Sequence, residues 1–212
     1  TGGFALDGGE TYTFIAYSIN SKTALPVVSG NTLSTAVLSS VSGDLMYFQS
    51  VMKLVTGTNS LSAVLKHMFS QITTKIDLDA TSMGEITAIS NPFMRPTYTS
   101  GTLKLSDGSI TYNNVVTAGA AVNFGTVMGR SITSTSTQLI TPAVTNGSLS
   151  LGSITMNGLT KTAVTIPNLR VNPSSKYNLN LTFQGPCSVN VSGVGSNFNS
   201  SNGTAVTIMT VG

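Results

Sequence analysis

Charged side chains are scarce in this chain, and their scarcity is the first constraint on its function. Of 212 residues, ten are Lys or Arg and seven are Asp or Glu, so 8% are charged, against roughly a quarter in ordinary soluble domains. The basic residues are scattered from Lys22 to Lys176 and form no basic stripe of the kind that a nucleic-acid-binding protein needs. We therefore expect no nucleic acid among its partners.

Cysteine and histidine are each present only once, which excludes several kinds of site. The single cysteine, Cys187, excludes an intrachain disulfide and a Cys-x-x-Cys site, and we interpret it as a buried or inert thiol. The single histidine, His67, would have to serve any Ser-His-Asp triad, but the chain has no Gly-x-Ser-x-Gly elbow. We interpret His67 as a histidine whose hydrogen bond ties a strand to a loop.

The few acidic residues offer one pair for catalysis or metal binding. Asp77 and Asp79 lie two residues apart on a predicted strand, a spacing that could suit the two carboxylates of a glycosidase or part of a Ca²⁺ site. No third acid is close in sequence, so we favour a solvated pair at a strand end. The segment Gly193-Val194-Gly195 lacks the strand and helix of a phosphate loop and is interpreted as a linker. We expect no catalytic, cofactor-binding or metal-binding residues, no cofactor and no enzymatic activity.

Long hydrophobic runs are also missing. No stretch of about 20 apolar residues exists, so no transmembrane helix is predicted. The chain starts at Thr1 without Met or a signal peptide, and we expect it to be a mature or trimmed product.

What the chain has in abundance is short alternating segments, with 40% apolar residues and 21 glycines between them. Alternation over four to eight residues predicts strands. The predicted strands are Tyr12–Ser18, Asp44–Leu54, Glu85–Ile89, Thr102–Leu105, Ile110–Tyr112, Ser153–Met156, Thr162–Ile166, Lys176–Phe183 and Ala205–Val211.

Turn dipeptides and prolines separate these segments. Asp107-Gly108, Asn146-Gly147 and Asn157-Gly158 are predicted to form hairpin turns, because such pairs tolerate the positive φ angles of a type I′ turn. Asn91–Pro96 is predicted to be an irregular connection, since its two prolines are excluded from a ladder interior. Ala24–Ser42 is predicted to be a long loop with room for a short helix near Leu33–Leu38.

The densest apolar stretch, Leu61–Leu78, allows two interpretations. Its apolar phase slips by one residue near His67–Gln71, which predicts two strands joined by a bulge or single turn. Leu65, Met68, Ile72 and neighbouring apolar residues also fit the spacing of one amphipathic helix. We favour the two strands, because the Thr73-Thr74 pair beside Ile72 prefers extended backbone.

Many short strands with regular turn signals predict an all-β fold, a β-sandwich of mostly antiparallel strands with little helix. A weak boundary falls at Gln184–Pro186, where alternation gives way to small residues. We therefore expect one sandwich domain over residues 1–183. Residues 184–212 would form a Gly/Ser/Asn-rich segment with one possible strand, and could begin a second domain.

Four segments, in order, resemble the fimbrillin-like family of Bacteroidales. Tyr12–Ser18 (Tyr-Thr-Phe-Ile-Ala-Tyr-Ser) is similar to its opening strand, and Leu65–Thr73 to its Lys-His-Leu segment. Ser100–Gly108 resembles the hairpin that follows, and Tyr177–Phe183, preceded by Pro173, resembles the strand that closes the domain. The resemblance thus covers roughly Tyr12–Phe183.

The resemblance implies a transthyretin-like sandwich of about seven main strands and a surface function. It implies export as a lipoprotein to the cell surface or outer membrane, through a lipid anchor outside this chain. It also implies assembly with other fimbrial subunits by strand donation, in which a strand of one subunit fills a groove of its neighbour. The role in shaft, tip or anchor stays open, as do a host or bacterial receptor and a glycan ligand.

Three functions are thus compared. The favoured one is a non-enzymatic structural or adhesive subunit of a cell-surface fimbria. The alternative is a carbohydrate-binding β-sandwich module of a secreted or surface glycan-utilisation system, which an exposed row of aromatic residues on one sheet face would favour. The third, a sandwich-fold hydrolase, would need His67 and an acid together in a cleft.

Overall fold

All regular structure in the described part of the chain is β. The computed structural model describes residues 5–80, 82, 84–183 and 206–211. Within these residues there is no helix, and so none that is long and apolar enough to cross a membrane. The strands are β1 Thr11–Ser18, β2 Val28–Ser29, β3 Val37–Val41, β4 Met46–Lys53, β5 Lys66–His67, β6 Ser70–Leu78, β7 Ile86–Ser90, β8 Phe93–Arg95, β9 Tyr98–Lys104, β10 Ile110–Val115, β11 Ala120–Ala121, β12 Ser131–Thr133, β13 Thr137–Leu139, β14 Val144–Met156, β15 Leu159–Val171, β16 Lys176–Phe183 and β17 Val206–Val211.

These strands fall into two compact units. The first unit comprises Thr1–Met68 with Ser100–Thr111, and the second comprises Phe69–Thr99 with Tyr112–Gly212. The domain boundary expected after residue 183 lies where the described residues stop, so it stays a prediction. The strand predicted at Ala205–Val211 is present as β17.

The second unit is a β-sandwich of two five-stranded sheets. One sheet has the order β11-β8-β14-β15, with β7 also paired to β14, and the other has the order β12-β6-β16-β17, with β13 also paired to β6. Strands β6 and β16 alternate buried and half-buried residues almost throughout, as the sequence predicted. Their inward side chains, such as Ile72 and Leu179, share one apolar core with Leu149 and Ile166 of the opposite sheet. Each such side chain contributes about 1.5–3 kcal/mol on burial.

The first unit contains two smaller sheets. One has the order β1-β4-β5, and the other has the order β10-β9-β3-β2, with the first two residues of β9 and most of β10 counted in the second unit. The Tyr47 hydroxyl on β4 donates a hydrogen bond of 2.7 Å to the Leu105 carbonyl, just after β9. The Gln49 side-chain amide donates to the Ser106 carbonyl at 2.8 Å. These bonds connect the two sheets through polar groups as well as apolar contacts.

Pairing is mostly antiparallel, as predicted, with two parallel exceptions. Strand β16 pairs in parallel with β6 on one side and with β17 on the other. Parallel neighbours need long connections, and the chain between β6 and β16 contains strands β7 to β15. Strand β16 therefore lies between β6, from far earlier in the sequence, and β17, from the end of the described residues.

Several local predictions were wrong. The short helix expected near Leu33–Leu38 is a turn followed by β3, because Leu38 is needed as a fully buried side chain opposite Leu103 of β9. The amphipathic-helix interpretation of Leu61–Leu78 is also wrong, since β6 is extended. Of the two strands favoured there, the first is only β5, and residues 61–65 have no regular structure.

The second half contains two further corrections. Asn91–Pro96 is not wholly irregular, because Phe93–Arg95 forms β8 between β14 and β11 and its two prolines lie outside the three paired residues. Asn146-Gly147 is not a turn but lies inside β14, at a register shift opposite Leu169. Gly147 is needed there because an added Cβ would lie 2.8 Å from the Leu169 carbonyl oxygen.

Candidate functional site

Sheet edges are the candidate sites, because an unpaired strand edge offers backbone donors and acceptors to another chain. Strand β15 is a long edge of the second unit, and its sequence protects it. Pro167 removes a donor, while Ala163 and Asn168 adopt positive φ angles that distort the edge. Lys161 and Arg170 add positive charge. These features disfavour pairing with a further strand.

Strand β1 is an edge of the first unit and has none of these protections. It pairs with β4 over eight consecutive residues without a register shift. On its other side, no strand among the described residues pairs with it. Thr11–Ser18 contains no proline, no charged residue and no positive φ angle. It is the kind of flat, uncharged edge that proteins usually avoid exposing.

An apolar groove adjoins one face of β1. Its lining is mostly apolar and includes Leu6, Phe14, Met52, Leu54 and Leu61, and its volume is about 550 Å³. The rings of Tyr12 and Phe14 lie 6.4 Å apart along the strand. The groove could hold apolar side chains of a segment that pairs with β1.

A third edge, that of β16 in the second unit, is covered by β17. The two strands pair in parallel from Leu179 with Val206 to Phe183 with Val211. Residues 184–205 separate them in sequence and lie outside the described part. This edge is therefore occupied by the last described strand of the chain itself.

His67 is hydrogen-bonded in the manner that the sequence predicted. Its Nδ1 donates to Oδ1 of Asp44 at 2.7 Å, and the side-chain amide of Asn20 donates to Oδ2 of the same carboxylate at 2.9 Å. Asp44 precedes β4, while Asn20 follows β1 and His67 ends β5. The carboxylate thus connects the ends of all three strands of one sheet, a positioning role.

Asp77 and Asp79 are each bound separately. Asp77 forms an ion pair of 2.9 Å with Lys75 on the same strand. Asp79 accepts hydrogen bonds of 2.8 Å from the backbone N–H and the hydroxyl of Ser82. Across residues 5–80, 82, 84–183 and 206–211, no three His, Cys, Asp or Glu side chains form a group that could hold a metal ion. Cys187 and Gly193–Gly195 lie outside the described residues.

The tyrosines do not form an exposed row in the described structure. Tyr47 and Tyr177 are buried, and the other four are half-buried. Tyr98 and Tyr112 pack against each other at 5.4 Å with their rings tilted by 47°, so they do not offer one flat face to a sugar. Burial, with a smaller contribution from Tyr98, raises the pKa of Tyr112.

The hairpin after β9 has the most strongly shifted acid. Hydrogen bonds from the Ser109 side chain and backbone, with a smaller effect of Lys104, lower the pKa of Asp107 to about 2. The Ser109 N–H lies 2.9 Å from Asp107 Oδ1. Burial, and then the charge of Asp107, raises the pKa of Tyr47. These interactions stabilise the turn between β9 and β10.

Sequence reasoning identified β1 as a strand but not as an open edge. A signal was available, because Thr11–Ser18 lacks the proline and charges that β15 carries. Which strands lie at edges depends on pairings between distant segments, however, and so could not be derived from this local signal.

Comparisons with known proteins found only distant likenesses. No protein-family model matches the chain, and no curated protein matches it significantly. Solved structures similar to it include three from Bacteroides, each described as a "putative cell adhesion protein". The chain from B. ovatus has 14% identity and a TM-score of 0.47, with 84% of this chain and 64% of that one covered.

The other two are comparable. The chain from B. fragilis has 11% identity and a TM-score of 0.44, with coverages of 93% and 66%. The chain from B. uniformis has 18% identity and a TM-score of 0.43, with coverages of 84% and 62%. The present chain thus spans slightly less than two thirds of each. At TM-scores below 0.5 these are likenesses only, and the fimbrillin-like family stays a prediction.

Proposed function

We propose that the chain is a non-enzymatic structural or adhesive subunit of a bacterial cell-surface fimbria. The observation that carries the proposal is the parallel pairing of β17 with the edge of β16. A strand held at a sheet edge, and separated by 22 intervening residues (184–205) from the strand it covers, can be exchanged for the equivalent strand of another copy or subunit. The four family-like segments of the sequence point to the same kind of assembly.

The β16 edge suits an incoming strand because its inner face is already organised. Tyr177, Leu179, Leu181 and Phe183 of β16 are buried in the core that β16 shares with the opposite sheet. Its other edge is saturated by β6 over eight consecutive pairs. Replacing β17 by another strand would therefore exchange one set of main-chain hydrogen bonds for another.

The partners in this proposal are other fimbrial subunits, and the location is the outside of the cell. The low charge of the chain, 8% of residues, fits a surface of hydroxyl and amide groups. Attachment to the outer membrane would use a lipid anchor. A host or bacterial receptor, or a glycan, remains the ligand to be identified.

A strand-exchange experiment on the full chain tests the proposal. A fluorescent peptide with the sequence of residues 205–212 is incubated with the protein, and incorporation is followed by size-exclusion chromatography. We expect slow incorporation that unlabelled peptide competes away. A control peptide with both Thr207→Pro and Met209→Pro should not incorporate, because these residues lie opposite Asn180 and Leu181 of β16 and proline lacks a main-chain donor.

Two outcomes would contradict strand exchange at β16. One is equal incorporation of the proline peptide, which would indicate binding without strand pairing. The other is no incorporation of either peptide after partial denaturation and refolding, which would show that the covering strand is permanent.

A further inference from the structure

The open edge of β1 in the first unit has a definite set of unpaired backbone groups. The Leu54 N–H donates to the Glu10 carbonyl at 2.9 Å, which fixes the phase of the ladder between β1 and β4. Residues of an antiparallel edge strand alternately face the partner and face away from it. Even-numbered residues of β1 therefore bond to β4, and Thr11, Thr13, Ile15 and Tyr17 direct their N–H and C=O groups away from it.

We propose that this edge pairs with β1 of a second copy of the chain, antiparallel and about a two-fold axis normal to the sheet. Such an axis keeps each side chain on the same face of the sheet in both copies. Opposed residues must therefore both be even-numbered or both be odd-numbered. With Phe14 opposite Phe14, Thr11 pairs with Tyr17 and Thr13 with Ile15. This register engages all the outward backbone groups of both strands, in a closed interface that uses the same surface twice.

Charge at the two ends of β1 selects an antiparallel partner. Asp7 and Glu10 lie just before the strand, and Lys22 lies four residues after it; all three are exposed. Other charges are near: Lys53 lies opposite Thr11, and Lys66 lies opposite Tyr47. The end where β1 begins, with Asp7, Glu10 and Lys53, is therefore net negative. The end where β1 finishes, with Lys22, Lys66 and Asp44, is net positive. Antiparallel pairing brings opposite charges together, whereas parallel pairing would bring like charges together.

The apolar groove is continuous with the proposed interface. Phe14 lines it together with Met52 and Leu54, so a Phe14-centred axis places the two grooves side by side. Opposed residues that share no hydrogen bond approach most closely in an antiparallel ladder, and Phe14 is such a residue here. The two rings can then pack across the axis.

This interface is independent of strand exchange at β16, which lies in the second unit. Exchange at β16 links subunits in succession, whereas pairing through β1 joins two copies and then closes. The peptide experiment on β16 can therefore fail while the β1 dimer is confirmed. Equally, the dimer can be absent while the peptide is incorporated at β16.

Sedimentation of the full chain over a range of concentrations tests the pairing. We expect a reversible dimer, weakened at least tenfold by Thr13→Pro, since this change removes an outward N–H without touching a bond to β4. Thr13→Ser is the matched control and should dimerise normally. A monomer at all concentrations, or a Thr13→Pro variant that dimerises normally, would overturn the proposal. Circular dichroism and thermal melting show whether each variant is folded.

Charge reversal tests the orientation. Glu10→Lys and Lys22→Glu should each weaken the dimer at low salt, and the double variant should recover, because opposite charges meet again in the antiparallel arrangement. Additive weakening in the double variant would exclude this arrangement.

Cross-linking tests the register. In a Cys187→Ser background, Phe14→Cys should form a symmetric disulfide across the axis, because closely opposed Cα atoms about 4.5 Å apart are within disulfide range. Thr13→Cys, which faces Ile15 of the second copy, is the control. Equal cross-linking at both positions, or none at either while the background protein dimerises, would rule out the Phe14-centred register.

Discussion

The two units differ in how they distribute apolar side chains. Among the described residues, 23 buried hydrophobic side chains belong to the second unit and eight to the first. Of twelve large hydrophobic side chains that are exposed, nine belong to the first unit, among them Val27 at 87% exposure. The second unit thus has a core that defines it, while the first keeps much of its apolar surface available. This contrast indicates that apolar burial, the main stabilising contribution to folding, is concentrated in the second unit.

Truncating one buried leucine in each unit should give the largest effect and test the contrast directly. Leu179 of β16 and Leu38 of β3 are both fully buried. We expect Leu179→Ala to lower the free energy of unfolding by about 4 kcal/mol and Leu38→Ala by about 2–3 kcal/mol, because the smaller core can collapse into the cavity more easily. Urea unfolding of both variants gives the comparison. Equal losses would mean that the first unit is packed as rigidly as the second.

A glycine in each unit offers a finer comparison. Gly108 and Gly158 have similar φ angles of 71° and 76°, so alanine carries a similar backbone cost, about 1–2 kcal/mol, at both. At Gly108, however, an added Cβ would lie 2.8 Å from a ring carbon of Tyr47, whereas at Gly158 it would meet nothing within 4 Å. We expect Gly108→Ala to lower the melting temperature more than Gly158→Ala. The opposite order would show that the Tyr47 ring moves aside freely.

The smallest effect concerns pH and the exposed carboxylate of Asp107. Its folded pKa of about 2 lies below the unfolded value of about 3.9. The unfolded chain therefore binds the proton first, and the stabilising contribution is lost as pH falls from about 4 to about 2. Asp107→Asn should flatten the decline of melting temperature between pH 5 and 2.5 slightly relative to the wild type. Parallel curves for the two proteins would count against this assignment.

Three turn dipeptides show what the sequence could and could not predict. Asn157-Gly158 forms the predicted two-residue type I′ hairpin, with positive φ at both residues. Asp107-Gly108 does join β9 to β10, but only Gly108 has positive φ, so the turn is of another type. Asn146-Gly147 lies within β14, because Gly147 lies close to the carbonyl oxygens of Leu169 and Arg95. The local sequence thus predicted the first two hairpins correctly. At the third dipeptide, close packing against residues from distant strands placed the glycine inside a strand.

The same limit applies to the candidate sites. Alternation predicted β1 and β16 as strands, because their side chains divide cleanly between two faces, and the β-branched Thr73-Thr74 pair favoured a strand over a helix at β6. It could not tell that β1 would be an edge while β6 and β16 pair on both sides, since those partners come from remote parts of the chain. Strand β8 was missed for a related reason. Its flanking prolines indicated an irregular connection, but the three residues between them pair with β11 and β14.

The pairing of β6 with β16 also has a consequence for how the protein comes into being. The Ser70 hydroxyl on β6 donates a hydrogen bond to the Asn172 carbonyl, 102 residues later. During synthesis β6 is therefore made long before β16, the strand that pairs with it. Contacts of such long sequence separation slow folding. A nascent chain that has not yet reached Phe183 carries an uncovered apolar strand and is prone to aggregate. The sheet around β6 can therefore be completed only after residues 176–183 have been synthesised.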